Sequence, residues 1–294
     1  MFQLPRAERE LRKKEVIIAI PASIVSDVPH LREKTSKIGM IGRAAAIFRV
    51  HEIIIYSDNP HINQAADMNL IATLLAYMEA PQYLRKRLFK LRSELRYAGV
   101  LPPLRTPHHP ISNKMKNLKV GEHREGIVLF QRKAGVLVDI GVEKPALIPN
   151  TQLPIGKRVT IRITEVDKHI KAKLVTHKEI PEYWGYTVTA RNLSLGKILK
   201  TRCFDLTIAT SKYGIQLVNV VEEIVEKWKK ADTILIAFGA PAQGLYEIAK
   251  QEKLDLERIS DLVVNTIHAQ GTETIRTEEA LIASLAVLNH CLNR

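Results

Sequence analysis

The hydrophobic period of this 294-residue chain changes twice, and that change limits the folds open to it. Near the N-terminus, apolar runs alternate with helical spacing. Val16-Ile17-Ile18-Ala19-Ile20, within Glu15 to Val25, and Glu52-Ile53-Ile54-Ile55-Tyr56 read as buried strands. Between them, from about Thr35 to Arg49, Ile38, Ile41, Ala45 and Phe48 recur at helical spacing, with Gly39 and Gly42 leaving that helix thin enough for close approach. This is a βαβ unit. A further helix is expected over Asn63 to Met78, and Pro81 opens another that carries Arg85, Lys86, Arg87, Lys90, Arg92 and Arg96.

Turn-forming residues from Gly99-Val100-Leu101-Pro102-Pro103 through Pro107-His108-His109-Pro110 mark a boundary, and beyond it the period becomes two. Gly126 to Phe130, Gly135 to Ile140, Lys157 to Ile163 and His169 to Val175 are short strand-like segments. In the later two, Val159, Ile161 and Ile163 alternate with Arg158, Thr160 and Arg162, and Ile170, Ala172 and Leu174 with Lys171 and Lys173. About five strands in about seventy residues predict a small OB-like β-barrel with a basic outer face, either a nucleic-acid platform or an ordinary solvated surface.

The strand pattern fades near Tyr183 to Asn192, and α/β alternation resumes. Phe204 to Ile208 and Thr233 to Phe238 read as strands, and Val218 to Lys230 as a helix with Val218, Val221, Val225 and Trp228 on one side. A strand at Asp261 to Ile267 and a final helix with Leu281, Leu285, Leu288 and Leu292 as its buried stripe close the chain. The expectation is one α/β domain with a parallel sheet, in two sequence parts (1–103 and 189–294), interrupted by a barrel insert over 104–188.

Lys and Arg outnumber Asp and Glu by 44 to 31, a net charge of +13, which favours a polyanionic partner such as RNA, though a generally basic soluble protein has the same balance. Cys203 and Cys291 cannot build a disulfide framework and fit a reducing cytoplasm. Met1 to Lys14 is charged and lacks the apolar core of a secretory signal, and no segment has the uninterrupted apolar length of a membrane span. A soluble cytoplasmic protein is expected. The histidines, including the His108-His109 pair, lack metal-ligand spacing, so no metal is expected, and neither a G-x-S-x-G elbow nor a catalytic cysteine context is present.

The segment from Asn265 through Gly271 to Ala280 leads from a strand through small polar residues into a helix, with Thr277 placed as N-cap and Glu278 and Glu279 in the first turn. Gly271 allows a tight reversal there. Such a strand-to-helix junction is where α/β folds grip small ligands. Gly239-Ala240-Pro241-Ala242-Gln243-Gly244 also joins a strand to a helix; it is either a ligand loop or an ordinary turn. Leu245 and Tyr246 stand where a Walker loop needs Lys and Ser or Thr, and G-x-G-x-x-G is absent, which disfavours nucleotide hydrolysis.

Three segments together resemble one family. Lys37-Ile38-Gly39-Met40-Ile41-Gly42-Arg43-Ala44-Ala45-Ala46-Ile47-Phe48-Arg49-Val50 before Ile53-Ile54-Ile55 is similar to the first motif of SpoU-type RNA methyltransferases, whose helix carries an arginine where Arg43 stands. Ile234 to Gly239 through Gly244-Leu245 resembles the second motif, and Ile267 to Ala280 the third, which in that superfamily forms a trefoil knot. The inserted barrel narrows the resemblance to the archaeal and eukaryotic SPOUT branch of RNA methyltransferases, and it covers nearly the whole chain.

The resemblance implies a knotted SPOUT-type domain and a homodimer acting on uridine N3 in ribosomal RNA. It also implies S-adenosylmethionine held by loops around Gly239, around Asn265, Thr266 and Ile267, and around Gly271, Thr272 and Thr274. Pro241 stands where ribose-methylating relatives carry a glutamate, and the Arg276 to Glu278 segment where they carry an asparagine, which shifts the expectation from ribose 2′-O to base methylation. A catalytically silent ribosome-assembly factor is the rival from another class.

A uracil that loses its N3 proton develops negative charge on its flanking carbonyls, so a cation is useful there. Arg43 and Arg276 are the candidates, for that charge or for phosphate. The target base must be flipped or single-stranded. Arg85, Arg87 and Arg92 on the basic helix, with Arg158, Arg162, Lys171 and Lys173 on the barrel, are the expected contacts to flanking RNA.

Overall fold

The computed structural model describes residues 14–292, so most of the charged Met1 to Lys14 segment lies outside the described residues. The chain divides into two compact units, one of residues 14–76, 94–102 and 186–292, the other of 77–93 and 103–185.

The first unit is built on a six-stranded, all-parallel sheet in the order β11-β9-β10-β1-β2-β8. Its strands are β1 (Glu15–Pro21), β2 (Glu52–Tyr56), β8 (Thr187–Ala190), β9 (Leu206–Gln216), β10 (Thr233–Ala237) and β11 (Leu262–Asn265). The central strands are buried on both faces: Ile17, Ile18, Ala19 and Ile20 of β1 and Ile53, Ile54 and Ile55 of β2 are at most 1% exposed. A parallel sheet covered by helices requires such runs of β-branched residues. Helices α1 (Leu31–Ile47), α4 (Leu195–Thr201), α5 (Leu217–Lys230), α6 (Leu245–Gln251), α7 (Leu256–Ile259) and α8 (Thr277–Leu292) belong to this unit, as does most of α2 (Ala65–Glu79).

The glycine in the thin helix has a visible cause. A Cβ on Gly39 would lie 2.8 Å from Pro102 Cδ, so α1 packs against Leu101 and Pro102 where any side chain would push them apart. Helix α5 differs from expectation by one position. Leu217, Val220, Ile224 and Trp228 are buried, whereas Val218 is 72% exposed.

The second unit is a closed barrel, β3-β4-β5-β7-β6, closed by the pairing of β3 with β6. Its strands are β3 (His123–Arg132), β4 (Gly135–Asp139), β5 (Ala146–Pro149), β6 (Arg158–Val166) and β7 (Ile170–Leu174). Only β5 to β7 is parallel, an arrangement consistent with an OB-like barrel. The alternation separates inside from outside: Val159, Ile161, Ile163, Ile170 and Ala172 join the barrel core, and Arg162, Lys171 and Lys173 face out.

Helix α2 (Ala65–Glu79) precedes the short α3 (Gln82–Leu88). The basic helix expected to reach Arg96 therefore ends before Phe89, which leaves Lys90, Arg92 and Arg96 beyond it.

Candidate functional site

Strands β9, β10 and β11 lie side by side and parallel, so the segments that follow β10 and β11 emerge at one end of the sheet. There they line a cavity of about 280 Å³ that opens to solvent. Phe238 to Gly244 after β10, Asn265 to Ile267 with Gln270 and Glu273 to Ile275 after β11, Thr277, Ala280 and Ser284 of α8, and Thr210 to Tyr213 of β9 line it, with Glu247 of α6.

Hydrogen bonds hold these segments in register. Tyr56, fully buried at the end of β2, donates its hydroxyl to the Phe238 carbonyl (2.7 Å). Burial, reinforced by the Asp58 and Glu252 charges, raises that hydroxyl's pKa, so it stays a donor. Thr277 donates its hydroxyl to the Gly239 carbonyl (3.0 Å), and Thr266 and Ser284 share a hydrogen bond of 2.6 Å. Asn265 bridges two segments: its amide donates to the Lys212 carbonyl (3.1 Å), and its carbonyl oxygen accepts from Ile267 N–H (3.0 Å).

A Cβ on Gly239 would fall 3.1 Å from Gly244 Cα and 3.2 Å from both the Gln243 carbonyl oxygen and Leu245 N. All three are main-chain atoms, so any side chain here would have to widen the turn by a few tenths of an ångström.

Of the residues expected to hold a donor, the structure brings Gly239, Asn265, Thr266, Ile267 and Thr274 to this cavity. Gly271 and Thr272 are exposed in the same loop and are not among its lining residues. The chain turns at His268–Ala269, where Ala269 takes a φ of +49°, and bends again at 271–273; an added Cβ on Gly271 would meet nothing within 4 Å. Thr277 is the first helical residue and not the cap, for its hydroxyl is spent on Gly239, while Glu279 accepts from Arg276 N–H (3.0 Å).

Neither Arg43 nor Arg276 lines the cavity: Arg43 is half-buried on α1, and Arg276 is exposed just before α8. The buried cation of the first motif is Lys37, 5% exposed, whose ammonium meets Asp27 at 2.7 Å and Glu278 at 3.2 Å. It ties α1 to the N-terminal turn of α8.

In the barrel unit, Arg158 leaves the solvated set. Its guanidinium donates to both Glu79 oxygens (2.6 and 2.9 Å) and to Glu125 (2.6 Å). Glu125, 2% exposed, also accepts from Thr160 (2.7 Å) and the Trp184 indole (2.6 Å), and His108 lies 3.2 Å from Glu79. Burial alone would raise the Glu79 pKa, but the hydrogen bonds from His108 and Arg158 outweigh it and hold the carboxyl at about 2. Burial and the neighbouring His108 lower His109 to about 4.

Arg85 donates to the Ala80 and Met78 carbonyls and stacks on Tyr77, and Arg87 pairs with Asp139 at 2.9 Å. Arg92, Arg162, Lys171 and Lys173 are exposed, and Lys171 meets Glu165 at 2.9 Å. Pairing registers set Arg162 beside both His123 and Lys173.

Residues 15–288 match the model of a family described as "Putative RNA methyltransferase". An uncharacterized protein of Haloarcula marismortui is 34% identical over 92% of this chain and 97% of its own length. The 28S rRNA (uridine-N(3))-methyltransferase of Homo sapiens is 33% identical over 96% of this chain and 80% of that protein, and the protein of the same name from Drosophila melanogaster is 31% identical over 99% and 66%. With a family match over nearly its whole length and a cavity gathered from the matching loops, this chain belongs to that RNA methyltransferase family.

Proposed function

We propose that this methyltransferase moves a methyl group from S-adenosylmethionine to N3 of a uridine in ribosomal RNA. The observation that carries the reading is the convergence of Gly239, Asn265 to Ile267 and Thr274, far apart in sequence, on one cavity at the end of a parallel sheet. The lining suits the donor: a tight glycine turn, small side chains that leave main-chain groups accessible, and the Glu247 and Glu273 carboxylates against its positive charge. Gly271 and Thr272 complete the donor loop. When bound, the donor supplies a sulfonium-activated methyl carbon. The chain's task is alignment, worth about 7–11 kcal/mol in favourable cases, and exclusion of water.

The curated relatives named for uridine N3 support a base over a ribose acceptor, as does Pro241 in the second loop. Arg162, Lys171 and Lys173 of the barrel, with Arg92, contribute affinity for RNA phosphates, and Arg276 and Arg43 take the phosphate role. The exposed apolar side chains Met40, Ile47, Val218, Ile282 and Val287 support a homodimer. The trefoil knot is proposed at the third motif, Ile267 to Ala280, on the resemblance of that segment alone. Free Cys203 and Cys291, and the absence among the described residues of a helix able to cross a membrane, fit a cytoplasmic protein.

The test is incubation with labelled donor and unmodified ribosomal RNA, followed by mass spectrometry of the nucleosides. N3-methyluridine is expected. A 2′-O-methylated nucleoside would overturn the base assignment, and no transfer together with no donor binding by calorimetry would overturn the enzyme.

A further inference from the structure

Strand β9 does something its neighbours do not. It pairs with β11 at Leu262↔Ile208 and Val263↔Ala209, and the next pair is Val264↔Ile215. While β11 advances one step, β9 runs through Thr210 to Gly214, five residues without a partner on β11 in that register. An ordinary bulge inserts one extra residue, and bulges cluster beside active sites because they re-aim side chains.

This excursion is pinned along its length. Thr210 donates its hydroxyl to the Ala237 carbonyl (2.9 Å), where β10 ends, and the Lys212 carbonyl accepts from Asn265 (3.1 Å). Lys212 Nζ donates to the Glu273 carbonyl (3.2 Å). At its end, a Cβ on Gly214 would lie 2.7 Å from the Val263 carbonyl and 2.8 Å from Val264 N, so only glycine lets the chain return onto β11.

The excursion brings Thr210, Ser211, Lys212 and Tyr213 to the cavity. Among the described residues lining it, Lys212 is the one cation. Tyr213 is 67% exposed, whereas Phe238, the other aromatic residue there, is 1% exposed. Lys212 Nζ sits 5.1 Å from the centre of the Tyr213 ring. One face of the ring lies under the ammonium and the other stays open, which is chemistry that receives an unstacked base: the open face stacks, and the ammonium, on its flexible stem, can reach past the ring edge to an oxygen gaining charge.

We infer that the Thr210–Gly214 excursion is the acceptor side of the cavity, with Tyr213 stacking on the flipped uracil and Lys212 facing a carbonyl beside N3. This rests on the methyltransferase reading above. In the step, N3 releases its proton to water and its electron pair forms the bond to the methyl carbon. The carbon–sulfur pair returns to sulfur, which becomes a neutral thioether. Lys212 stabilises the uracil anion between proton loss and transfer.

The test uses the full chain, S-adenosylhomocysteine and an oligouridine carrying 4-thiouridine. Calorimetry with S-adenosylhomocysteine on the unsubstituted protein examines the methyltransferase reading first, and no binding there removes both ideas. Given binding, photocrosslinks are expected within 210–214, lost in Tyr213→Ala and kept in Tyr213→Phe, with S-adenosylhomocysteine affinity within about twofold in every variant. Loss of the stacking ring should weaken acceptor binding by roughly 5- to 150-fold. With labelled donor, Lys212→Met should lower kcat by about 10²-fold and Lys212→Arg should restore part of it. Crosslinks confined to residues outside 210–214, or a tenfold or greater loss of S-adenosylhomocysteine affinity in Tyr213→Ala, would overturn the inference while leaving the donor site standing.

Discussion

Replacing Arg158 by Met strips the cation from two largely buried carboxylates. Glu125 is 2% and Glu79 10% exposed at the side chain, and Arg158 donates three hydrogen bonds to them. Removing one partner of a buried pair costs about 3–5 kcal/mol, because the remaining charge is left uncompensated. Glu125 keeps Thr160 and Trp184 as donors and Glu79 keeps His108, so a loss near the low end, about 3 kcal/mol, is expected.

Trp184 lies in the network and Trp228 is the other of the chain's two tryptophans, so a Trp228→Phe background lets urea unfolding be followed by fluorescence at the site itself. Acid supplies a second arm. The Glu79 carboxyl, at about 2 in the folded chain against an ordinary 4.5, binds fewer protons folded than unfolded between those values. Its contribution is therefore complete above 4.5 and lost as the pH falls toward 2. Without Arg158 the folded carboxyl lies nearer its ordinary value, so the stability lost between pH 4.5 and 2 should shrink. If Arg158→Met costs no more than Lys173→Met on the exposed face, within about 0.5 kcal/mol, the buried network does not exist and Arg158 returns to the RNA-facing set.

Lys37→Met should destabilise the first unit by about 3–5 kcal/mol in denaturant unfolding, since Asp27 and Glu278 lose their shared cation; an unchanged midpoint would refute the link between α1 and α8. Gly239→Trp should abolish S-adenosylhomocysteine binding by calorimetry, because its side chain starts against the Gly244 and Leu245 main chain and must push that turn into the cavity, at some cost in thermal stability; full affinity in a folded variant would move the donor elsewhere. Replacing Arg162 and Lys173 by Gln should reduce the salt slope of single-stranded RNA binding by about 1.4, at about 0.7 per phosphate, and an identical slope would take that face of β6 and β7 out of the interface.

The sheet was legible where side chains alone specify it. The Ile-rich runs of β1, β2 and β10 can be satisfied only by burial on both faces, and helical spacing marked α1 and α8. Strands β5 (Ala146–Pro149) and β8 (Thr187–Ala190) escaped because neither carries a run of β-branched apolar residues that marks it, and β8 is held by pairing with the distant β2. The apolar pattern marks a strand only over Phe204 to Ile208, yet β9 runs from Leu206 to Gln216 through the polar Thr210, Ser211 and Lys212. The α5 face was misjudged by one residue, about 100° of rotation, because Leu217, Val218, Val220 and Val221 offer two adjoining apolar stripes.

The site divides along a similar line, between residues whose role is local and residues defined by a partner far away in sequence. Gly239 and Asn265 to Ile267 were recognisable because a small-residue junction between strand and helix is itself the ligand-gripping device. Charge was less informative, since a lysine or arginine reads the same whether water or a carboxylate faces it. Alternation correctly put Arg158 outside the barrel core, but outside is not solvent there: Glu79 precedes it by 79 positions and Trp184 completes the cover. Lys37 and Glu278 likewise become a pair only once α1 meets α8. Lys212 drew no notice in a chain with 44 basic residues; what singles it out is the five-residue detour of β9, a property of backbone register that side-chain patterning does not encode. A cation on this chain is thus assigned by what the fold places within about 4 Å of it, and the barrel arginine and the cavity lysine exchange the roles that composition alone would give them.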